Sequence, residues 1–208
     1  MTELPIFELP LVLLPGEQIP LHIFEPRYRA MVGRSLREGE PFGIILRDAD
    51  GARAVGCLAS VDEITEVHED GRFNVLVSGI EPFRVIDRYE APEWPAAEVE
   101  SVGDLDLPAL DADAASRARA AFSRLLERAT GQAIETGRLE AMSSFAIAAR
   151  VELPAAGKQA LLEARDEDRR MRLLADQLAE LERAVRDSFR RADRARSNGR
   201  IRFTDPGL

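Results

Sequence analysis

One short segment, residues 11–32, constrains the fold more than any other part of the chain. It begins with an apolar run that ends at Pro15-Gly16, a pair typical of a tight turn, and it resumes with strand-forming residues at positions 19–24. Pro26 suits the first turn of a helix, where no backbone N–H is needed, and Gly39 provides a stop. The segment therefore predicts a strand, a tight turn, a second strand and a helix in immediate succession.

Short apolar runs and turn residues follow one another through residues 3–100. Pro5 and Pro10 remove ladder donors, so residues 3–10 are predicted to form an edge strand or a broken one. A run at residues 42–46 is followed by a turn signal at residues 48–51. Asp70-Gly71 tolerates the positive φ of a tight turn and predicts a hairpin.

Several of these runs show the period of two that is typical of a strand with one buried face. The alternating residues are Val55, Cys57, Ala59 and Val61, then Phe73, Val75 and Val77, then Phe83, Val85 and Tyr89. Residues 94–99 close the series. Many short strands of this kind favour a small closed or half-closed β barrel, although periodicity alone leaves a sandwich equally open.

Helical spacing replaces this pattern in the second half of the chain. The irregular, aspartate-rich residues 101–112 suggest a boundary between a β subdomain at residues 1–103 and a helical subdomain at residues 104–208. Asp113 is predicted to cap a helix that Gly131 ends. A second helix is predicted to end before Pro154. Their apolar faces comprise Phe122, Leu125, Leu126 and Ala129, and Leu139, Met142, Phe145, Ala146 and Ala149.

The longest regular pattern runs from Gln159 to about residue 196 and predicts one long helix. Its narrow apolar seam comprises Met171, Leu174, Leu178, Leu181 and Val185. Four acid–arginine pairs stand four residues apart, and each is expected to add about 0.2–0.5 kcal/mol on the exposed face. The pairs are Asp166 with Arg170, Asp168 with Arg172, Glu182 with Arg186, and Asp187 with Arg191.

Two segments of the first half resemble the N-terminal domain of the Lon proteases. The first combines a Leu13-Leu14-Pro15-Gly16 turn with the run Leu21-His22-Ile23-Phe24-Glu25-Pro26-Arg27-Tyr28-Arg29, and Leu14 stands where phenylalanine is usual. The second is the hairpin sequence at residues 70–79, followed by Phe83-Arg84-Val85. Leu153-Pro154 and the sequence at residues 158–163 extend the resemblance into the helical half, so that it covers about residues 4–188.

The resemblance implies an α+β fold. An N-terminal PUA-like β pseudobarrel with one early helix would be followed by a C-terminal α-helical bundle ending in a long helix. The chain would be a stand-alone member of the family, and its basic tail beyond residue 188 is not explained by the likeness.

Composition narrows the classes of function. The 208 residues carry a net charge of -9, and an acidic surface repels phosphate backbones, so no nucleic-acid partner is expected. A single cysteine and the absence of a signal-peptide pattern favour a reducing, cytoplasmic location. No apolar run approaches the roughly 20 residues that span a bilayer, so no membrane association is expected. The seam of the long helix is too short to argue for a coiled-coil dimer, which favours a monomer.

The sequence lacks the residues that Lon proteases use for catalysis. Gly157-Lys158 has no glycine at the Walker A spacing before it and no Ser or Thr after it, so no nucleotide is expected to bind. No other cofactor is expected either. The family's Ser-Lys protease centre lies in a separate domain, whereas Lys158 is the one lysine here and falls in a bundle helix. The chain is therefore expected not to be an enzyme, although it resembles part of one.

The histidines and the cysteine give no metal site. His22 and His68 have no second His, Cys or carboxylate at the spacing of a zinc site. The favoured interpretation places His22 packed between apolar neighbours, His68 on the surface and Cys57 in the core as a small hydrophobe.

The residues Phe24, Glu25, Arg27, Tyr28 and Arg29 form the one candidate for a partner-binding site. Arg and Tyr commonly dominate interface energies. The alternative, which we favour at this stage, is a role in the fold: Arg27 would pair with a carboxylate, while Tyr28 and Phe24 would lie in the core.

Two classes of function remain. The first is a non-catalytic module that binds unfolded or partner polypeptides, with an apolar groove between barrel and bundle as its natural site. It could also act as an accessory subunit of an ATP-dependent protease. The second is RNA binding, because PUA-like barrels elsewhere bind RNA, but the acidic charge argues against it. The arginines from position 186 onward could attract an acidic partner, yet a frayed, solvated helix end is the simpler interpretation.

Overall fold

The computed structural model describes residues 2–105 and 112–198. In these residues, seven strands are followed by five helices, and one further helix lies between the second and third strands. The strands are β1 (Thr2–Leu9), β2 (Gln18–Ile23), β3 (Phe42–Asp48), β4 (Gly51–Ala52), β5 (Val55–Val67), β6 (Phe73–Glu90) and β7 (Pro95–Ser101). The helices are α1 (Pro26–Glu38), α2 (Ala112–Thr130), α3 (Thr136–Glu140), α4 (Ser144–Ala148), α5 (Ala155–Glu163) and α6 (Glu167–Asn198).

The strands close into a barrel through β1. The sheet runs β1-β7-β6-β5-β3, and β1 also pairs with β3, which joins the two ends. Thr2 to Pro5 pair with β7, whereas Ile6 to Leu9 pair with β3 in parallel. The prediction of an edge or broken strand is therefore wrong: Pro5 lies where β1 changes partner, so its missing donor does not prevent the strand from closing the barrel.

Strand β6 is one continuous strand, although the runs at residues 73–77 and 83–89 were predicted to be two. Its first half, from Phe73 to Ser78, pairs with β2 on one side and β5 on the other. Its second half, from Phe83 to Glu90, pairs with β7. The predicted hairpin turn is confirmed, since Gly71 has a φ of 80° between β5 and β6. Val55, Cys57, Ala59, Val75 and Val77 all face the core as predicted, but Tyr89 is 40% exposed.

The predicted Pro-Gly turn docks onto the middle of β6. The Gly16 N–H donates to the Gly79 carbonyl at 2.9 Å, and the Gly79 N–H donates to the Glu17 carbonyl at 2.9 Å. A Cβ atom at Gly79 would overlap the Leu14 carbonyl oxygen, so the two backbones can approach this closely only because this position lacks a side chain.

Helix α1 follows the predicted pattern. It begins at Pro26, ends at Glu38 and is capped by Gly39, whose φ is 70°. Tyr28, Met31 and Val32 are buried on its inner face. The spacing of apolar residues and the proline start therefore sufficed to place this helix.

The helical half contains more breaks than the sequence analysis predicted. The second predicted helix is two short ones, because Ser143 caps α4 by accepting the Ala146 N–H. The long predicted helix is also divided, into α5 and α6, and Asp166 accepts the Arg169 N–H at 2.7 Å at the start of α6. Asp113 lies inside the first turn of α2 and pairs with Arg117, so its predicted position as the cap is wrong.

The predicted ion pairs of α6 form only in part. Asp168 and Arg172 meet at 2.7 Å. Arg170 is instead bound by Asp104 at 2.5 Å and by Glu167 at 3.0 Å. Glu182 accepts from Arg124 of α2 at 2.7 Å, so the carboxylates of this helix serve contacts between elements as well as contacts along it.

One hydrophobic core runs through the barrel and the helices. It includes Val75 and Val77 of the barrel together with Phe122, Leu162 and Leu174 of the bundle. A smaller, separate cluster joins β1, β3, β6 and β7 through residues that include Ile6, Ile45, Phe83 and Val99. The proposed subdomain boundary remains a prediction, and the end of the basic tail, residues 199–208, lies outside the described residues.

Polar contacts also join the two halves. Lys158 of α5 forms an ion pair with Glu17 of the docked turn, and their side chains are only 15% and 10% exposed. Glu17 also accepts the Leu14 N–H at 3.0 Å. The Gln159 side-chain amide donates to the Val55 carbonyl at 3.1 Å. The two neighbouring side chains of α5 thus hold both the turn and the barrel wall.

Candidate functional site

The five residues singled out in the sequence lie where β2 passes into α1. Phe24 is 58% exposed, which contradicts the prediction that it belongs to the core. Leu21 and Ile23 are buried on β2, so the alternation of the strand turns His22 and Phe24 outward. Phe24 therefore presents an aromatic ring to solvent at the start of the helix.

Tyr28 occupies the inner side of the same junction. It is 6% exposed, and its ring centroid lies 4.1 Å from that of Phe7. Arg27 lies above the Tyr28 ring at 4.6 Å and pairs with Glu25 at 3.2 Å. Arg27 and Glu25 remain 48% and 41% exposed. A packed Tyr28 and a paired Arg27 agree with the structural interpretation, but Arg27 keeps an accessible surface.

Arg29 serves a different contact. Its guanidinium donates to the Asp70 carbonyl at 3.2 Å, beside the Gly71 turn of the long hairpin. The side chain therefore ties α1 to the β5–β6 turn. Arg29 does not line the cavities described below, which separates it from Phe24, Glu25, Arg27 and Tyr28.

A cavity of about 550 Å³ opens beside Arg27, between β1, β7 and α1. We call it the arginine cavity, because it is lined by three arginines and a single carboxylate. Its principal side chains are Arg27, Arg47, Arg88, Glu8, Tyr28 and Tyr89. No local sequence signal assigned Arg47, Arg88, Tyr89 or Glu8 to a site, because they come from three separate strands.

Glu8 organises the arginines of this cavity. Its carboxylate accepts from Arg47 at 2.5 Å and lies 3.8 Å from Arg88. The hydrogen bond to Glu8 raises the pKa of Arg47 above its ordinary value. Arg88 also donates to the carbonyls of Ala52 and Arg53, which fixes its direction. Glu8 thus meets two of the three arginines, while Arg27 pairs with Glu25, so three guanidinium groups stand against two carboxylates.

A second cavity, of about 390 Å³, adjoins the first. It lies between the ends of β1 and β2, and we call it the aromatic cavity. Its lining includes Phe7, Phe24, His22, Leu9 and Pro10, and it shares Glu8, Arg27, Tyr28 and Arg47 with the arginine cavity. The two form one continuous depression, which we call the motif groove.

A third cavity, of about 380 Å³, lies between the barrel and α5. Its lining is mixed, and it shares Pro10 and Arg47 with the motif groove. The apolar members are Leu46, Ala155, Ala156 and Ala160, and the polar and charged ones are Asp48, Arg53, Gln159 and Glu163. A depression between barrel and bundle therefore exists, but it is only partly apolar, whereas an apolar groove was predicted there. It continues the motif groove along the side of the helical half.

One of the two histidines is placed differently from the prediction. His22 is exposed rather than packed, and its Nδ1 lies 2.6 Å from the Asn74 side-chain oxygen. The His22 and His68 rings meet edge to face at 5.6 Å. Across residues 2–105 and 112–198, no group of three or more His, Cys, Asp or Glu side chains is arranged to hold a metal ion.

Cys57 lies in the barrel core, and burial raises the pKa of its thiol to about 12. The thiol therefore stays protonated at neutral pH and behaves as a small apolar group. Within the described parts of the chain, no helix combines the length and the apolar composition needed to cross a membrane.

The family of the chain follows from comparison with known proteins. The family model for the substrate-binding domain of ATP-dependent protease La (LON) matches residues 3–180. The chain belongs to this family. The resemblance noted in the sequence is thus confirmed, and the matched residues include both the motif groove and the bundle that packs beside it.

Two curated relatives place the LON substrate-binding domain within longer proteins. Lon protease from Paraburkholderia phytofirmans is 29% identical over 193 residues, which cover 84% of this chain and 24% of the relative. Lon protease 2 from Myxococcus xanthus is 26% identical over 183 residues, which cover 80% of this chain and 22% of the relative. The chain therefore spans about a quarter of the length of these relatives.

Two solved structures share the fold of the LON substrate-binding domain. A Lon N-terminal domain protein from Xanthomonas campestris has a TM-score of 0.65 at 27% identity, with 84% of this chain and 97% of that one covered. The N-terminal domain of a Mycobacterium avium complex Lon protease has a TM-score of 0.69 at 20% identity, with 86% and 98% covered. The α+β architecture predicted from the sequence is confirmed.

Proposed function

We propose that this chain is a non-catalytic module that binds polypeptides in the motif groove. The observation that carries the proposal is the exposed Phe24 ring beside a depression with an aromatic floor, formed by Phe7 and Tyr28. Concave sites with apolar walls and a few polar groups are the usual form of a binding site. The description of the family as a substrate-binding domain supports the same function.

The partner classes follow from the same groove. Unfolded segments and flexible segments of folded partners both offer side chains that could cover Phe24. Action beside a separate ATPase or protease would fit a domain of this family, and the LON domain itself would only hold the polypeptide. A cytoplasmic location, a monomeric state and the lack of nucleic-acid or membrane partners remain predictions from the sequence.

Binding of a permanently unfolded polypeptide tests the proposal. A reduced and alkylated model polypeptide, fluorescently labelled, is titrated with the protein and followed by anisotropy. Phe24→Ser should weaken binding about tenfold, because exposed aromatic anchors dominate interfaces of this kind. The same preparation should neither hydrolyse ATP nor cleave casein.

Ile80→Ser provides the matched control. Ile80 is 48% exposed on β6, and it lies outside the cavities of the motif groove. Its substitution should leave binding unchanged. Equal binding by the wild type and by Phe24→Ser would contradict the proposal that polypeptides bind in the motif groove. ATP-dependent cleavage by the chain alone would overturn the non-catalytic assignment.

A further inference from the structure

The strands that flank the aromatic cavity each have one unpaired edge. Within residues 2–105 and 112–198, the ladder partners of β2 lie on β6, and those of Ile6 to Leu9 lie on β3. The aromatic cavity lies between these two strands, against Phe7 to Pro10 on one side and His22 to Glu25 on the other. The barrel itself is closed through β1 and β3, whereas β2 pairs with β6 outside the closing order, which leaves a seam between β1 and β2.

An open seam of this kind fits an extended polypeptide. Every second residue of a paired strand directs its N–H and C=O away from the partner, where another strand can bind them. Addition of a peptide strand to such an edge is a recurrent mode of recognition. The floor of the seam is apolar, because Phe7 and Tyr28 pack against each other beneath it.

The charged side chains of the arginine cavity indicate which kind of polypeptide segment would bind in the groove. The arginine cavity, at one end of the seam, carries Arg27, Arg47 and Arg88 against Glu8. Glu25 of the aromatic cavity pairs with Arg27, so among the side chains that line the motif groove three arginines stand against two carboxylates, in a chain whose net charge is -9. Guanidinium groups bind carboxylates through paired hydrogen bonds, so this end of the groove is complementary to an acidic side chain or to a chain terminus.

We propose that the motif groove takes an acidic polypeptide segment in extended conformation. Its backbone pairs with the free edges of β1 and β2, its apolar side chains cover Phe24, and its carboxylates meet the arginine cavity. This inference rests on the proposed function and names the class of segment that the groove selects.

Three peptides of equal length separate the parts of this inference. The first alternates Glu with Phe and Val, the second replaces each Glu by Gln, and the third keeps Glu but carries N-methyl groups on alternate residues. The Gln peptide should bind the wild-type protein about threefold to tenfold more weakly than the Glu peptide, with a difference that shrinks as salt is added. N-methylation should weaken binding at least about tenfold, because two or more backbone hydrogen bonds are lost.

Substitution of one arginine tests the place of the charge. Arg27→Gln should weaken the Glu peptide about threefold to tenfold and leave the Gln peptide unchanged. Arg138→Gln on the exposed helix α3 is the control and should change neither. A contrary result would be that the unfolded polypeptide binds in a way that depends on Phe24, while the peptides show no preference for Glu or no loss on N-methylation. That result would overturn this inference and leave the proposed function standing.

A nucleic-acid competitor completes the test, since phosphates are also anions. A single-stranded RNA oligonucleotide should not displace the Glu peptide at 150 mM salt. Displacement by RNA at lower concentration than by unlabelled Glu peptide, with the same loss in Arg27→Gln, would overturn the assignment to an acidic polypeptide in favour of RNA.

Discussion

Two regions contain residues from the segments that resemble the Lon family: the interface between barrel and bundle, and the motif groove. Their charged side chains differ in how far they are exposed to solvent. At the interface, Lys158 and Glu17 form an ion pair whose members are 15% and 10% exposed. In the groove, Arg27 and Glu25 also pair, but they are 48% and 41% exposed. Both regions contain charged pairs, and burial distinguishes them.

This difference in burial separates residues that hold the fold from residues that remain accessible to a partner. A buried pair leaves an unsatisfied charge when one member is removed, whereas an exposed pair is replaced by water at little cost. The family motifs contain both kinds of residue. Resemblance alone therefore cannot tell a fold-defining residue from a binding one, and the free energies of unfolding of single variants can.

The largest effect is expected at Lys158. Lys158→Met removes the cation that faces Glu17, a side chain that also accepts the Leu14 N–H. Breaking a buried ion pair from one side costs about 3–5 kcal/mol. We therefore expect the free energy of unfolding to fall by about that amount in urea titrations followed by the fluorescence of Trp94.

The double variant Lys158→Met, Glu17→Gln is the control. Neutralising Glu17 removes the unpaired charge while it keeps an acceptor for the Leu14 N–H, so much of the lost stability should return. An Lys158→Met variant as stable as the wild type would show that burial of this pair does not distinguish the interface from the groove.

A smaller loss is expected at Gly79. The Cβ of Gly79→Ala would collide with the Leu14 carbonyl, which lies in the turn that Glu17 and Lys158 hold. The turn must shift away from β6, at an expected cost of about 1–3 kcal/mol. Thermal and urea unfolding measure this cost. Gly103→Ala, where a Cβ would meet no atom within 4 Å, should remain within about 0.5 kcal/mol of the wild type.

The local elements of the barrel could be predicted because their signals are short-range. Pro26 and Gly39 mark the two ends of α1, and Asp70-Gly71 marks the hairpin. The closure of the barrel by β1 could not be read in this way. It depends on pairing between residues far apart in the chain, such as Leu9 with Leu46, which no local pattern records.

The breaks between helices were missed although the sequence held a signal for them. Ser143 and Asp166 both act as caps, but the apolar spacing continues in phase on either side of each. Leu161 and Leu162 of α5 pack into the same core as Leu174 of α6. The spacing of apolar residues therefore continues across the break between the two helices. A polar residue with cap chemistry inside an apolar pattern is the signal to use.

The candidate site could be predicted in part. The alternation that buries Leu21 and Ile23 already implied that Phe24 faces outward, so the expectation of a core position overlooked a local signal. Arg47 and Arg88 could not be assigned to the site from the sequence. Arg47 lies on β3 and Arg88 on β6, and only the closed barrel brings both beside Glu8.

The smallest effect on stability is expected in the motif groove. Arg27→Gln removes an exposed pair with Glu25 and a contact of the guanidinium with the Tyr28 ring at 4.6 Å. Together these are worth about 0.7–2 kcal/mol at an exposed site, and Tyr28 keeps its packing on Phe7. Urea unfolding should therefore show a small loss with an unchanged slope. A loss as large as that of Lys158→Met would place Arg27 among the residues that hold the fold, because an accessible side chain retained for binding has no such cost.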